Sequence, residues 1–393
     1  MRPQVQNLLI KPAGPDCNLA CGYCFYRPKA ALYPGESPRR MTASVLAELV
    51  RQYTVFGGET CSFCWQGGEP TLMGLGFFRE ACGWMERFGT AGQTMANSIQ
   101  TNGILLDDEW GEFFARRRFF VGLSLDGPAA VHDRWRRDAG GRATFARVLR
   151  AARLLERHGV PFNVLAVVTR ETADAPEAVY EYLVESGFRH LQFIPVAETG
   201  PDGSPTPASV PPAAWGEFLC RLFDRWLADD PPAASIRTFD GLVALAAGLP
   251  GAECIFEAGC ARYAVVEHNG DVYACDFLVE PAWKLGNLTT EPLWTLLQGP
   301  RWQAFRALKP ARPGACRACA WAGWCGGGCP THRRVASAPR GGAGEFDRPS
   351  YFCASYKAFF AHAGDRIRVL AGTLSGSLSG PDGRGRAFGA DEV

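Results

Sequence analysis

The sequence lacks the features that would direct it to a nucleic acid, a membrane or the cell exterior. Lys and Arg number 41 against 40 Asp and Glu, a formal net charge of +1, so no one-signed field exists to hold DNA, RNA or an anionic bilayer. No apolar run approaches the roughly 20 residues that span a bilayer. The opening MRPQVQNLLIKPAGPDC has neither the apolar centre nor the small-residue cleavage site of a signal peptide. These absences point to a cytoplasmic protein with no nucleic-acid or membrane partner. The balance, 47% hydrophobic and 21% charged over 393 residues, suits a soluble enzyme with one large or two ordinary domains.

What is present in excess is cysteine, at fifteen residues. A reducing cytosol does not maintain a disulfide framework, so closely spaced cysteines there serve as metal ligands or catalytic thiols. Three of them, Cys17, Cys21 and Cys24, form a C-x3-C-x2-C run in DCNLACGYCFY. No nearby histidine completes a zinc tetrahedron. Three thiolates can instead hold three irons of a cubane and leave the fourth open, the mark of a catalytic centre. Eight more cysteines, Cys254, Cys260, Cys275, Cys316, Cys319, Cys325, Cys329 and Cys353, would complete two four-cysteine sites. By count alone these fit two zinc sites as well as two iron–sulfur sites. Cys61 and Cys64 sit three apart in a predicted strand and so point to opposite faces; with Cys82 and Cys220 they read as packing residues.

Along the first half, β-branched and aromatic runs (QNLLIK, CSFCWQ, NSIQT, FFVGLSL, FNVLAVVT, HLQFIPV) alternate with amphipathic stretches. The spacing predicts helices over residues 43–56, 75–88, 107–117, 143–158 and 176–186. Such alternation implies βα units around a parallel sheet, open or barrel-like, with chemistry at the carboxyl ends of the strands. Residues 199–212 are rich in Pro, Gly and Ser and mark a loop before a further helix. YAVVEHNGDVYACDF then reads as a hairpin turning at Asn269-Gly270. The last 22 residues are poor in apolar side chains and read as disordered.

The cysteine run with Tyr23 before its last member resembles the CxxxCxΦC motif of the radical S-adenosylmethionine (SAM) superfamily. The resemblance implies a partial (β/α)6 TIM-like barrel in which SAM chelates the open iron of a [4Fe–4S] cluster. GGEP, with Gly68 and Glu69, would then receive the SAM amine. Ser124 in LSLDG would meet its ribose or carboxylate, and Arg136 its carboxylate. Tyr26 and the backbone near Ala197 would flank the adenine. The eight later cysteines resemble a SPASM extension with two auxiliary [4Fe–4S] clusters, one on Cys254, Cys260, Cys275 and Cys329, the other on Cys316, Cys319, Cys325 and Cys353. That makes three clusters in all. The implied division is residues 1–235 for the barrel, 236–370 for the SPASM domain and 371–393 for a disordered tail.

Further matches, QGGEPTL, TNG, SIRTFDGL, VYACDF and YFCASYKAFF, narrow the resemblance to anaerobic sulfatase-maturating enzymes. It implies oxidation of a Cys or Ser in a sulfatase C/S-x-P/A-x-R segment to Cα-formylglycine through a 5′-deoxyadenosyl radical, with Asp276, beside Cys275, as general base. The implied partners are an unfolded sulfatase segment and a low-potential electron donor such as flavodoxin or ferredoxin, with the chain acting as a monomer. Two rival readings are a SPASM maturase of a ribosomally made peptide and a non-catalytic zinc-binding interaction protein.

Overall fold

The computed structural model describes residues 5–200, 202–251, 253–335 and 344–378. Its strands in chain order are β1 (Asn7–Lys11), β2 (Thr60–Trp65), β3 (Thr94–Thr101), β4 (Phe119–Ser124), β5 (Phe162–Val168), β6 (His190–Pro195), β7 (Ser235–Ile236), β8 (Tyr263–Glu267), β9 (Asp271–Tyr273) and β10 (Lys284–Asn287). The six runs singled out in the first half of the sequence are the first six of these. Helices Ala43–Phe56, Gly74–Phe88, Asp108–Arg117, Phe145–Arg157 and Pro176–Glu185 fill the expected intervals.

Contacts divide the chain into two compact units that do not follow the expected cut at residue 235. One unit holds the chain through Ser124, together with His132–Phe162 and Ala261–Ala307; the other holds Leu125–Val131, Asn163–Cys260 and the chain from Leu308 on. In the first unit β1 to β4 run parallel in sequence order, with Leu8 beside Phe63 and Ser98 beside Phe120. β8 pairs parallel with the other side of β1, Lys11 facing Glu267. This pairing covers the edge of β1 opposite β2, and an unpaired edge is a liability. β9 and β10 continue antiparallel.

Parallel strands need long crossovers, and the helices supply them. Two of them start where the sequence provides a cap: the Thr42 hydroxyl accepts from Val45 N at 3.3 Å, and Asp107 Oδ1 from Trp110 N at 3.2 Å. Trp65, Phe63, Phe78, Phe113, Phe114 and Phe119 are at most 1% exposed. Burial of each such side chain is worth about 1.5–3 kcal/mol. The Trp65 indole N–H donates to Asn97 Oδ1 at 2.9 Å, so burial leaves its one polar atom satisfied.

In the second unit β5, β6 and β7 are parallel. Helix Cys353–Leu378 lies against helices Pro212–Trp226 and Arg237–Ala246. Phe223, Phe239 and Phe359 meet there with ring centroids 5.1 to 5.7 Å apart. This helix carries the fold beyond residue 371 to Leu378, into the stretch read as disordered; residues 379–393 lie outside the described residues. The hairpin is present, with a three-residue turn: Gly270 takes φ +86° and its N–H donates to Glu267 O at 3.0 Å. A glycine in that left-handed position is the usual end of such a turn.

Candidate active site

β1 ends on Lys11, and the chain turns twice before Cys17: Gly14 N donates to Lys11 O at 2.9 Å and Asp16 N to Ala13 O at 3.1 Å. Asp16 fixes this loop by accepting from Arg39 N and Arg39 Nη1, both at 2.8 Å, and from Arg40 Nη1 at 3.1 Å. Donors then point at the sulfurs. Leu19 N lies 3.3 Å from Cys17 Sγ, Asn102 Nδ2 3.8 Å from it, and Arg27 N 3.4 Å from Cys24 Sγ. Burial, with Glu69 and the other two thiols nearby, pushes the Cys17 thiol up to about 12, against the Leu19 N–H. An isolated thiol in this place stays protonated, while N–H donors on sulfur favour the thiolate that a metal would hold. The three cysteines therefore fit an iron cluster.

The GGEP turn is bound to this loop. Gly68 N donates to Gly14 O and Glu69 N to Asp16 O, both at 2.8 Å. A Cβ on Gly68 would stand 2.0 Å from Asp16 O, so only glycine allows the approach. The Glu69 carboxylate, 1% exposed, accepts from Thr71 N (3.0 Å), Thr71 Oγ1 (2.6 Å), Thr101 Oγ1 (2.8 Å) and Asn102 N (2.9 Å). Its side chain thus ties the ends of β2 and β3 together; burial raises its pKa and these donors oppose the rise.

Ser124, at the carboxyl end of β4, accepts from Gln100 Nε2 at 3.1 Å. The segment carrying Arg136 runs along the cysteine loop: Ala20 N donates to Arg137 O at 2.8 Å and Gly22 N to Trp135 O at 3.1 Å. Arg136 is 6% exposed, with its guanidinium 5.5 Å from the Tyr23 ring centroid. Ala197 follows β6 in the second unit, half-buried.

Asp276 has a partner that the sequence reading did not foresee. Lys11, 1% exposed, makes an ion pair and hydrogen bond to Asp276 Oδ1, and its Nζ stands 4.1 Å from the Tyr26 ring centroid. The Tyr26 hydroxyl donates to Glu267 Oε1. Tyr26 is 2% exposed, with Lys11 over one ring face and Val265, Tyr273 and Val279 around it. Cys275 precedes Asp276, with its sulfur 3.6 Å from the Tyr263 hydroxyl.

In the second unit the cysteines fall into two neighbourhoods. Cys254, Cys260 and Cys329 act electrostatically on one another, as do Cys316, Cys319, Cys325 and Cys353. Burial raises the thiols of Cys254 to about 11 and Cys260 to about 12. No disulfide links any of the fifteen cysteines, and Cys61 is buried and Cys64 partly exposed on alternate faces of β2, as packing predicts.

Two family models match: residues 12–183 as Radical SAM superfamily and residues 257–320 as an iron-sulfur cluster-binding domain. The chain is 37% identical, over 94% of its own length and 99% of the relative's, to a cysteine-type anaerobic sulfatase-maturating enzyme of Clostridium perfringens. It is 34% identical, over 90% and 88%, to a serine-type counterpart of Bacteroides thetaiotaomicron. The chain belongs to the anaerobic sulfatase-maturating enzymes. The solved structure of native anSMEcpe with bound AdoMet and Cp18Cys peptide superposes with a TM-score of 0.85 at 36% identity, covering 94% of this chain and 99% of that one.

As a member of this family the chain is a radical SAM enzyme with a SPASM extension, and its cofactors are three [4Fe–4S] clusters and SAM. The fold class expected from the sequence is the family's. Among the expected site residues, the structure brings the three N-terminal cysteines, Gly68, Glu69 and Arg136 onto one knot of loops. Sequence reasoning missed Lys11, Asn102 and Glu267. A charged residue closing an otherwise apolar strand, as in LLIK and YAVVE, was the signal available for two of them.

Proposed function

We propose that this chain oxidises a Cys or Ser in a C/S-x-P/A-x-R segment of an unfolded sulfatase to Cα-formylglycine. The observation that carries the reading is Asp276: a carboxylate next to a cluster cysteine, positioned through one oxygen by a buried lysine. Cys17, Cys21 and Cys24 would hold the SAM-binding cluster. Cys316, Cys319, Cys325 and Cys353 would hold one auxiliary cluster, and Cys254, Cys260 and Cys329 the other, with Cys275 assigned to it from the sequence resemblance. Bound together, the clusters and SAM supply removal of a hydrogen atom from the substrate Cβ by a 5′-deoxyadenosyl radical and acceptance of one further electron.

The chain's own residues do the rest. Gly68 and Glu69 shape the place for the SAM amine, and Ser124 and Arg136 that for its ribose and carboxylate. Tyr26 and Ala197 keep their assignment beside the adenine, and the Tyr26 ring also supports Lys11. Asp276 takes the proton of the substrate thiol or hydroxyl through the oxygen that Lys11 leaves untouched. Hydrogen atom, proton and electron together make a two-electron oxidation, yielding the aldehyde from Ser and a thioaldehyde from Cys, which water converts to the aldehyde with loss of hydrogen sulfide. A low-potential donor such as flavodoxin or ferredoxin, a monomeric state and a cytoplasmic location complete the proposal. Among the described residues no helix is long and apolar enough to cross a membrane.

Anaerobic incubation with SAM, a strong reductant and a C-x-P-x-R peptide tests it. The peptide should lose mass as Cys becomes formylglycine and should then react with hydrazide. A peptide returned unchanged while SAM is cleaved would sink the substrate assignment.

A further inference from the structure

Arg333 is 1% exposed, yet no acidic side chain pairs with it among the described residues. Its Nη1 donates to the carbonyls of Leu308 (2.9 Å), Ala311 (3.3 Å) and Phe346 (3.5 Å), and its Nη2 to that of Gly327 (3.3 Å). Nε has no hydrogen-bond partner among the described residues. A guanidinium stays charged at any physiological pH, and burying it without a counter-charge is costly. Carbonyl dipoles offset part of that cost. They do not account for a cation where an uncharged side chain would fill the space.

The groups around Arg333 that could carry a counter-charge are cysteines. Arg333 closes the turn Pro330–Arg333 that directly follows Cys329, and it reaches back into the CGGGC loop between Cys325 and Cys329. Gly327 there has φ +83°, and a Cβ on it would stand 3.0 Å from Arg333 Nη2. The guanidinium acts electrostatically on Cys316 and Cys325 of one cysteine neighbourhood and on Cys260 and Cys329 of the other. Lys309, 0% exposed, is more one-sided: its Nζ donates to Cys254 O and Ile255 O, and its field falls on Cys254, Cys260 and Cys329 of one neighbourhood and on Cys325 of the other.

We propose that Arg333 is the shared counter-ion of the two auxiliary clusters, raising both reduction potentials together so that each accepts an electron more readily. This rests on the cluster assignments above. A thiolate-ligated cubane gains negative charge on reduction, and a fixed cation beside it favours the reduced form, as net charge does in general for such clusters.

The test uses the full chain, reconstituted anaerobically, as parent, Arg333→Gln and Arg333→Lys. Iron is counted first: about twelve per chain supports three cubanes, and a parent holding zinc instead overturns the cluster assignments and the inference with them. With iron in place, a redox titration followed by electron paramagnetic resonance decides the inference alone. In Arg333→Gln the reduced-to-oxidised ratio of both auxiliary clusters at a given poise should fall about tenfold, a shift of about 59 mV for a one-electron couple, while the SAM-binding cluster stays put. Arg333→Lys should keep its iron and restore most of both shifts. If only one auxiliary cluster moves in Arg333→Gln, or neither, the shared role is wrong. Should the Gln variant fail to hold iron, a fully loaded Arg333→Lys with either potential lowered tenfold overturns it equally.

Discussion

Around Cys17 the charge that bears most on the thiol is the buried carboxylate of Glu69, with the cation Arg136 over the neighbouring Tyr23 ring; around the C-terminal cysteines the cations Lys309 and Arg333 act against the carboxylates of Glu253 and Glu257. Both regions are rich in cysteine, yet the strongest fixed charge acting on the sulfurs is anionic at Cys17 and cationic at Cys260. An anion beside a cluster disfavours the added electron, and a cation favours it. On the proposed function, the carboxylate would favour a stronger reductant at Cys17, Cys21 and Cys24, and the cations would favour electron acceptance at the C-terminal cysteines. The N–H donors of Leu19 and Arg27 soften the first environment without changing its sign.

The bluntest way to break this comparison is to delete one of its sides. Cys17→Ala should lower bound iron from about twelve to about eight per chain and abolish 5′-deoxyadenosine formation, while the auxiliary signals persist in the resonance spectrum. Loss of all iron would show that the two regions do not assemble independently.

Next in size is Asp276→Asn. An amide cannot take the substrate proton, and removal of a positioned general base typically costs about 10²–10⁴ in rate. Aldehyde formation should fall by that much, while iron content and SAM cleavage remain. The amide oxygen can still accept from Lys11, so the fold should hold. Removing the other partner is more damaging structurally: Lys11→Met leaves a buried carboxylate unpaired, at about 3–5 kcal/mol, read as a lower denaturation midpoint. Full aldehyde formation by Asp276→Asn would move the base elsewhere.

Much of this was legible in the sequence because it depends on local pattern. The six strands follow from β-branched and aromatic runs, and Ala43–Phe56 from the helical spacing of its apolar residues. Positions decided by pairing between distant segments were not. Nothing local places β8 on the free edge of β1, and so nothing local puts Lys11 beside Glu267 or its ammonium on Asp276, 265 residues away. Arg333 was hidden for a related reason: in THRRVAS it reads as a surface arginine, and only its burial against four carbonyls marks it. The helix that runs on to Leu378 fails expectation differently. Low apolar content argues against a packed core, but a helix already anchored by Phe359 and Phe360 needs little more to propagate.

Glu69→Gln sharpens the comparison from the first side. The carboxylate accepts four hydrogen bonds, and an amide must turn its nitrogen toward at least one donor, at about 1–3 kcal/mol. The same change removes the negative charge near Cys17, so the SAM-binding cluster should reduce more readily while both auxiliary potentials stay unchanged. A first cluster that became harder to reduce would show that hydrogen bonding, not charge, sets its poise.

Lys309→Met gives the smallest and most selective effect. Its stem can be replaced by an apolar chain of similar length, which is often tolerated when a buried charge is removed. The carbonyls of Cys254 and Ile255 lose their donor, and the cost appears in stability. The electrostatic loss falls on the neighbourhood of Cys254, Cys260 and Cys329, where nearby Glu257 already offsets part of the lysine charge. The potential of that cluster should drop more than that of its neighbour, which Lys309 reaches through Cys325, and by less than the roughly tenfold shift in ratio expected for Arg333→Gln. The measurement is the same redox titration, comparing the two auxiliary signals within one sample. An equal drop in both would mean that the two cysteine neighbourhoods share one field and that no residue distinguishes them. A drop larger at one than at the other, set against the joint drop for Arg333, separates a one-sided counter-ion from a shared one.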